Sequence, residues 1–380
     1  MSTEQAPGAA LVLKDVVKRY GEQAAVDRVS LDIQGGEFVT FLGPSGSGKT
    51  TTLNMIAGFT DVTEGEIEMD GRAIGALPPH KRDIGMVFQH YALFPHMTAT
   101  DNVAFPLKQR KVRNPELGER VQRALAMVRL EQYGDRYPRQ LSGGQQQRVS
   151  LARCIVYKPA LILMDEPLGA LDKKLREWLQ LEIKRIHQEL GITFIYVTHD
   201  QEEALVLSDR IAIFRDGRID QLGTAEDLYE RPKTLFVAEF VGDSNLFAGR
   251  VGGGGEYVEP SGGGYRLRAN AGHGLADGAP AVLVVRPERL RVTDGDVAAN
   301  TLDATVRQVI YLGSTRRLEL EFRDGRRGQL REPSNSPDPR REGDDVRVTW
   351  GPDDGVVVPD DSTVDVAVAF EDAVLAGRTV

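Results

Sequence analysis

A glycine-rich octapeptide, residues 43–50, is the feature that most restricts how this chain can fold. It reads GPSGSGKT and fits the pattern G-x-x-x-x-G-K-[ST] of a phosphate-binding P-loop. The apolar run GEFVTFL (residues 36–42) precedes it, and a helix is predicted to begin at Lys49. Glycines let the backbone curl so that its N–H groups converge on phosphate oxygens, and a helix start adds partial positive charge. The pattern therefore predicts a strand, a phosphate cradle and a helix, in that order.

The side chains at the end of this loop suit nucleotide binding with a metal ion. Lys49 can reach β- and γ-phosphates, and the Thr50 hydroxyl can bind Mg²⁺. The alternative is a flexible glycine loop that matches by chance, which the strand–loop–helix context disfavours. The residues assigned here to the phosphates are Gly43, Pro44, Ser45, Gly46, Ser47, Gly48, Lys49, Thr50 and Thr51.

Short apolar runs alternate with helix-like segments over about the first 240 residues. Residues 161–164 (LILM) and 192–197 (ITFIYV) are typical of central strands in a parallel sheet covered on both faces. Between them, residues 172–190 carry apolar side chains at spacings of three and four, which predicts a helix. Strand, helix and strand in this order predict an α/β fold with right-handed crossovers.

The character of the chain changes near Gly242. Residues 241–380 contain no lysine, so arginine alone carries their basic charge. Asp324-Gly325, between two apolar stretches, is a hairpin turn signal. We therefore predict an α/β domain over residues 1–240 and an all-β domain, a small barrel, over residues 241–380. The β-like stretches of the second domain are residues 281–286, 304–312, 317–322 and 346–350.

Composition limits the functions open to the chain. A formal net charge of −9 argues against a nucleic-acid-binding role, which needs a basic face. We expect no signal peptide, and no run of about 18 apolar residues occurs, so a role in transport would need another chain for the pore. The single cysteine, Cys154, is interpreted as a small buried apolar residue. The histidines interpreted as structural, without metal-ligand spacing, are His80, His90, His96, His187 and His273.

Two further motifs carry chemistry. Asp165-Glu166 ends the LILM strand, where α/β sheets bind ligands; Asp165 suits Mg²⁺, and Glu166 suits activation of a water molecule. Adjacent strand residues point in opposite directions, so the two acids can hold different positions. The segment LSGGQ is a second anion-binding loop, because its serine is a good helix N-cap and its glycines allow close approach to an anion. Its residues are Leu141, Ser142, Gly143, Gly144 and Gln145.

In this order the motifs resemble those of ABC transporter ATPases, and the resemblance covers about the first 240 residues. It implies that Tyr20 stacks on adenine and that Gln89 touches Mg²⁺ and senses a membrane subunit. It also implies a D-loop at residues 170–172, with Asp172, and a switch histidine at His199. Taken alone, Tyr20 is a surface aromatic, Gln89 a polar residue after a strand and His199 a structural histidine. The ordered set favours the functional interpretation.

The resemblance further implies a head-to-tail dimer that encloses ATP. Each γ-phosphate would meet Lys49 and His199 of one chain and Ser142 and Gly144 of its partner. Glu166 is then the expected general base. The residues implied as Mg²⁺ ligands are Thr50, Gln89 and Asp165.

Two features resemble bacterial importers in particular. Arg286-Pro287-Glu288 after an apolar run resembles the accessory barrel of the TOBE type. Residues 85–96 and 165–182 resemble importers of polyamines, ferric iron and related solutes, and the latter segment looks closest to the spermidine/putrescine group. This implies a peripheral subunit on the cytoplasmic face of the membrane, working with two permease subunits and an extracytoplasmic solute-binding protein.

Several alternatives stay open. An importer ATPase for ferric iron, a sugar or another small solute fits the same motifs. A soluble ABC ATPase acting on ribosomes or DNA is disfavoured by the single P-loop and the acidic charge. The tail disfavours an exporter, and LSGGQ disfavours a P-loop kinase or GTPase.

Overall fold

The computed structural model describes residues 8–361, except residues 170, 263, 270–273, 294–299 and 337–338. The chain forms two compact units that divide between Ala225 and Glu226. Among the described residues, none of the helices combines the length and apolar character needed to cross a membrane. Ala170 of the predicted D-loop, His273 and the tail from residue 362, which has no clear sequence pattern, lie outside the described residues.

In the part of the first unit that the structure describes, there are two sheets and six α-helices before residue 225. Its strands are β1 Leu11–Tyr20, β2 Gln23–Ile33, β3 Phe38–Leu42, β4 Glu64–Met69, β5 Arg72–Ala73, β6 Ile84–Val87, β7 Leu161–Asp165, β8 Thr193–Thr198, β9 Arg210–Arg215 and β10 Arg218–Gly223. Its helices are α1 Lys49–Ala57, α2 Ala99–Gln109, α3 Glu116–Met127, α4 Gly143–Ile155, α5 Lys173–Leu190 and α6 Gln201–Leu207.

The central sheet has six strands in the order β10-β9-β3-β8-β7-β6. Strands β6, β7, β8, β3 and β9 are parallel, and β10 pairs antiparallel with β9. The apolar runs that predicted central strands are β3, β7 and β8, which are buried along nearly their whole length. The predicted α/β fold with a parallel sheet is confirmed, as is the start of α1 at Lys49.

A second, antiparallel sheet has the order β2-β1-β4-β5 and was not predicted. Its apolar side chains share a core with one face of the central sheet and with α1, as shown by Leu11, Val26, Phe41 and Ile56 in one buried cluster. The opposite face of the central sheet is covered by α5 and by the helices α2–α4, whose buried residues form another cluster. Helix α4 carries the LSGGQ segment at its start.

The second unit is built from β-strands and two short helices. Its elements are α7 Ala225–Glu230, α8 Leu235–Val241, β11 Asn245–Gly252, β12 Tyr257–Pro260, β13 Leu267–Arg268, β14 Pro280–Val285, β15 Arg291–Val292, β16 Asn300–Tyr311, β17 Thr315–Phe322, β18 Arg327–Pro333, β19 Asp345–Trp350 and β20 Gly355–Pro359. Two antiparallel sheets, β13-β12-β11-β14-β20 and β15-β19-β16-β17-β18, enclose one core. At its centre Phe247 stacks on Trp350 at 5.3 Å. Asp324-Gly325 joins β17 to β18, as the hairpin signal predicts.

The division between the units lies earlier in the chain than the predicted boundary after residue 240. The reason is α8, whose Leu235 and Ala238 pack against Val282 and Val358 of the β-sheet. Arg286, the arginine of the Arg-Pro-Glu tripeptide, is buried and donates to backbone oxygens of α7 and of the C-terminal end of α8. Those acceptors are Ala238 O, Gly242 O, Asp243 O and Tyr229 O.

Candidate nucleotide site

Three parallel strands end side by side at one edge of the central sheet. Strand β3 pairs with β8 up to Leu42 and Thr198, and β8 pairs with β7 up to Val197 and Asp165. The P-loop follows β3, the acid pair lies at the end of β7, and His199 follows β8. The carboxyl ends of strands in such sheets are the usual place for a ligand. The fold therefore brings three of the predicted motifs to one edge.

The P-loop needs glycine where its backbone approaches other backbone closely. A Cβ on Gly43 would lie 2.3 Å from the carbonyl oxygen of Phe214, and one on Gly48 would lie 2.6 Å from that of Ala25. Gly48 also has a φ of 99°, in the left-handed region. Helix α1 then begins at Lys49 with no acidic side chain in its first turn. The free N–H groups and the helix dipole there favour an anion.

Lys49 lies folded against the loop that it terminates. Its side chain is nearly buried, and its Nζ donates to the carbonyl oxygens of Gly43 and Pro44, each 2.8 Å away. Burial lowers the pKa of the ammonium, while the charges of Glu166 and Asp165 act in the opposite direction. A phosphate is a stronger partner for an ammonium than a neutral carbonyl is, so the lysine is well placed to bind one.

Asp165 and Thr50 together offer oxygen ligands to a cation. The Thr50 hydroxyl donates to Asp165 Oδ1 at 3.0 Å. Burial raises the pKa of Asp165, and the hydrogen bond from Thr50 opposes that rise. A partly buried carboxylate beside a hydroxyl is a donor set that Mg²⁺ accepts, since this ion prefers oxygen ligands from one or two carboxylates with water and phosphate. The residues present therefore fit a magnesium ion.

Glu166 faces a different set of groups from its neighbour. Its Oε2 accepts from Gln89 Nε2 at 3.3 Å, and its Oε1 lies 3.2 Å from Nδ1 of His199. The backbone leaves the strand here, with a φ of 42° at Glu166, while the Glu166 N–H still donates to Val197 O at 3.0 Å. Since Gln89 donates through its nitrogen, its amide oxygen is left available for a cation.

The LSGGQ segment is held by a capping box at the start of α4. Ser142 Oγ accepts from the Gln145 N–H at 3.3 Å, and Gln145 Oε1 accepts from the Ser142 N–H at 2.9 Å. A Cβ on Gly144 would lie 2.8 Å from Leu175 of α5, and one on Gly143 would lie 3.4 Å from Leu171. Within the described residues, no hydrogen bond or ion pair joins residues 141–145 to the P-loop. In this chain the atoms nearest to a Cβ on Gly143 or Gly144 belong to Tyr91, Leu171 and Leu175, and none belongs to the P-loop.

The remaining predicted residues are Tyr20, Asp172 and Thr51. Tyr20 ends β1 with 58% of the residue exposed, and Lys18 Nζ lies 5.1 Å from the centroid of its ring. Asp172 is the N-cap of α5 and accepts from the Leu175 N–H at 3.0 Å. Thr51 is half-buried in the first turn of α1.

Sequence reasoning missed the groups that fix the end of β8. Asp200, next to His199, is the N-cap of α6 and bonds to Arg176 at 2.9 Å. Glu203 is buried and accepts from Tyr196 and Thr198. An Asp before a helical segment is an N-cap signal that could have identified Asp200. No local pattern could have identified Arg176, because its carboxylate partner Asp200 lies beyond α5 and β8 in the chain.

Two residues interpreted as structural are buried away from this edge. Cys154 donates to Met86 O at 3.0 Å, and burial raises the pKa of its thiol to about 11. His187 lies between Phe38 and Phe194, and its Nε2 is 2.9 Å from Gly36 O. Burial lowers the pKa of this imidazole.

Comparison with known families matches two segments of the chain. Residues 26–169 match the family described as ABC transporter, which includes the P-loop, the LSGGQ segment and the acid pair. Residues 283–358 match the TOBE domain and include the whole sheet β15-β19-β16-β17-β18, with parts of β14 and β20 from the other sheet.

Similar proteins cover most of the chain. The spermidine/putrescine import ATP-binding protein of Rubrobacter xylanophilus is 48% identical, over 91% of this chain and 93% of the relative. The proteins of the same name from Thermobifida fusca and Pseudomonas aeruginosa are 45% and 47% identical, over 92% and 86% of this chain.

Solved structures match the first part of the chain. A bacterial ABC transporter cassette in dimeric form is 40% identical, with a TM-score of 0.51, over 56% of this chain and 98% of the cassette. A dimeric post-hydrolysis state of an ATP-binding cassette, bound to ADP and Pi, is 38% identical with the same TM-score and coverage. The chain therefore belongs to the ABC transporter family of ATP-binding proteins, in the group of the spermidine/putrescine import ATP-binding proteins.

Proposed function

We propose that this chain is the ATP-hydrolysing subunit of an ABC importer and that two copies close around two ATP molecules. The observation that carries the proposal is the split of the anion-binding groups. The P-loop, Asp165, Glu166 and His199 lie at one sheet edge, whereas LSGGQ is held separately on α4. A second copy in head-to-tail arrangement would complete each site. The dimeric form of the related cassettes supports this arrangement.

Within one chain, different residues would bind different parts of the nucleotide. Lys49 and the first N–H groups of α1 bind the phosphates, and Tyr20 offers an exposed ring to the adenine. Thr50, Asp165 and the Gln89 amide oxygen would hold Mg²⁺, which when bound neutralises phosphate charge. Ser142 and Gly144 would contact the γ-phosphate held by the partner.

Glu166 is the residue proposed to accept the proton from the attacking water. Its carboxylate is fixed by Gln89 and by His199, so one geometry is maintained for both oxygens. His199 is placed to orient Glu166 and to contact the γ-phosphate. Phosphoryl transfer needs positioning and charge neutralisation more than covalent chemistry, and this set of residues provides both.

The solute proposed is a polyamine, spermidine or putrescine, because relatives of that name match most of the chain. Two integral-membrane permeases and an extracytoplasmic solute-binding protein would complete the transporter, with this subunit peripheral on the cytoplasmic face. A groove of about 440 Å³ beside the residues after Gln89 supports permease docking, since apolar rings and two arginines line it. Those residues include Phe88, Phe94, Phe105, Arg110, Arg153 and Tyr157.

Reconstitution with the two permeases and the solute-binding protein in liposomes tests the proposal. Spermidine or putrescine loaded on the binding protein should stimulate ATP hydrolysis and solute uptake. Stimulation by ferric iron or a sugar with its own binding protein, and none by polyamines, would refute the solute and retain the importer. Absence of Mg-ATP hydrolysis in the complete complex would refute the function itself.

A further inference from the structure

Arg176, in the first turn of α5, connects two segments that are far apart in the sequence. Its Nη1 donates to Asp200 Oδ2 at 2.9 Å, and its Nη2 donates to Leu171 O at 3.1 Å. Its Nε lies 3.8 Å from Oε1 of Glu203. One partly buried guanidinium thus holds the segment before α5 and the start of α6 together.

On one side of Arg176, the start of α5 lies directly against the LSGGQ glycines. Gly144 is in such close contact with Leu175 that a Cβ there would lie 2.8 Å from the leucine side chain. A Cβ placed on Gly143 would have the Leu171 side chain as its nearest neighbour, 3.4 Å away. Because packed side chains transmit small displacements, a shift of these glycines is expected to move Leu171 and Leu175, which precede Arg176 in the chain.

On the other side, Arg176 fixes the residue that follows His199. Asp200 uses Oδ1 to accept the N–H groups of Glu202 and Glu203, which leaves Oδ2 for the arginine. Asp200 therefore sets both the start of α6 and the exit of the chain from β8. The His199 ring, with Nδ1 at 3.2 Å from Glu166, depends on that exit for its position.

The contact with Glu203 is incomplete. Glu203 is buried, and its Oε2 accepts from the hydroxyls of Tyr196 and Thr198 at 2.7 and 2.8 Å. Its Oε1 is too far from Arg176 Nε for a hydrogen bond, and this buried Nε has no hydrogen-bond partner within the described residues. A buried donor without a partner is costly. A movement of about 1 Å toward Glu203 would bring the pair within hydrogen-bond range.

We propose that Arg176 is a positioning residue for hydrolysis, which couples the two nucleotide half-sites that one chain contributes. The inference rests on the proposed dimer, in which the LSGGQ of one chain holds the nucleotide of its partner. Seating of that nucleotide shifts Gly143 and Gly144 against α5, and Arg176 passes the shift to Asp200 and so to His199. Occupancy of one site then promotes hydrolysis at the other.

The first test uses the full chain in its transporter complex, with the variants Arg176→Gln, Asp200→Asn and both together. Asparagine caps a helix as well as aspartate does, so Asp200→Asn removes the charge and retains the cap of α6. We expect the Hill coefficient for ATP to fall from above 1 towards 1, and kcat to fall on the order of tenfold, with unchanged affinity for a fluorescent ATP analogue. The double variant should be no worse than the more affected single variant.

The control for this series is Arg185→Gln. Arg185 also lies on α5 and likewise donates to carboxylate and backbone carbonyl oxygens, here those of Glu182, Glu189 and Met127. It has no contact with the LSGGQ segment or with α6 among these bonds, so its loss should leave the Hill coefficient and kcat unchanged. If Arg176→Gln lowers only the unfolding temperature, or if its effect adds to that of Asp200→Asn, the coupling role is refuted.

A mixed dimer tests the direction of the coupling. One subunit carries Glu166→Gln, so that only the other hydrolyses ATP. Arg176→Gln in the hydrolysing subunit should lower turnover, because that chain senses the trapped nucleotide of its partner. The same substitution in the blocked subunit should have much less effect, and equal effects would overturn the inference.

Failure of the wild-type complex to hydrolyse ATP would refute the proposed function, whereas cooperative hydrolysis unaffected by these variants would refute only the role of Arg176.

Discussion

Two neighbouring carboxylates differ in their surroundings because the backbone turns between them. Asp165 still pairs with Val197 in the sheet and accepts from Thr50. Glu166 has a positive φ of 42°, a conformation unusual for a residue with a side chain, and its carboxylate points to Gln89 and His199. Unusual backbone conformations of this kind often occur at functional sites. The turn separates the carboxylate that we propose as a cation ligand from the one that we propose as the proton acceptor.

Glu166→Gln should therefore retain nucleotide binding while losing turnover. The amide keeps the shape of the carboxylate but cannot accept a proton, so we expect kcat to fall by about 10² to 10⁴. ATP that is bound and not hydrolysed should trap a dimer, detected by size-exclusion chromatography with Mg-ATP. Glu177→Gln, an exposed position on α5, is the control and should behave like the wild type. Near-normal turnover in Glu166→Gln would remove this residue from the role of base.

The buried His187 predicts that the free energy of unfolding depends on pH. Burial lowers the pKa of this imidazole in the folded chain, so the unfolded chain takes up the proton first as the pH falls below about 6.5. The fold must then lose stability with decreasing pH, because stability falls where the unfolded state binds more protons. Above that pH the ring is neutral in both states, and no effect is expected.

The measurement is urea unfolding at pH 7.5 and pH 5.5, for the wild type and for His187→Gln. The glutamine can still donate to Gly36 O, and it does not titrate. The loss of unfolding free energy between the two pH values should be smaller in the variant. An equal loss in both proteins would show that His187 does not contribute.

At the scale of elements, the strands and motifs that could be predicted are those marked by a local sequence pattern. The features that could not be predicted depend on contacts between residues distant in the sequence. Strands β3, β7 and β8 are buried on both faces, so each is a continuous apolar run. Strands β1 and β2 have register shifts, with left-handed backbone at Asp15 and Arg28, and these interrupt the alternation that marks a strand. The P-loop and acid pair are contiguous motifs. Arg176 acts through residues 171, 200 and 203, which only the fold brings together.

A buried arginine, Arg82, caps the C-terminal end of helix α1, and its removal is expected to destabilise the fold. Arg82 is 2% exposed and donates to Met55 O and Ile56 O of the helix and to Gly75 O and Leu77 O of the loop after β5. Arg82→Met should lower the unfolding free energy by about 3 kcal/mol, since these buried carbonyls would lose their donors.

Urea unfolding of three proteins measures this effect. Arg82→Lys should recover only part of the loss, because an ammonium cannot reproduce the planar fork of the guanidinium. Arg72→Met, at an exposed position of β5, should change the unfolding free energy by less than about 0.5 kcal/mol. A loss for Arg82→Met no larger than that for Arg72→Met would contradict the capping role.

At the scale of the whole molecule, each unit has its own core, and we propose that a second copy completes the site of the first unit. The clusters around Phe41 and Phe38 belong to the first unit, and that around Phe247 belongs to the second. A change of composition marked the start of the second unit only approximately, because α7 and α8 resemble the helices of an α/β domain in sequence. Their assignment depends on what they pack against, which no local pattern records.

The division after Ala225 predicts how fragments of the chain behave. A fragment of residues 226–380 keeps α8 packed on the face formed by β14 and β20. It also keeps the backbone oxygens that accept hydrogen bonds from Arg286. A fragment of residues 241–380 exposes Val282 and Val358 and leaves the buried Arg286 without the Ala238 and Tyr229 oxygens. An uncompensated buried charge costs about 3–5 kcal/mol, so the shorter fragment should unfold at much lower temperature or fail to fold. Circular dichroism melts of the two fragments give the comparison.

In the longer fragment, Arg286→Leu should reproduce most of the loss, whereas Arg307→Leu, which removes only an exposed pair with Glu321, should not. Equal melting temperatures for the two fragments would place the boundary at residue 240 after all.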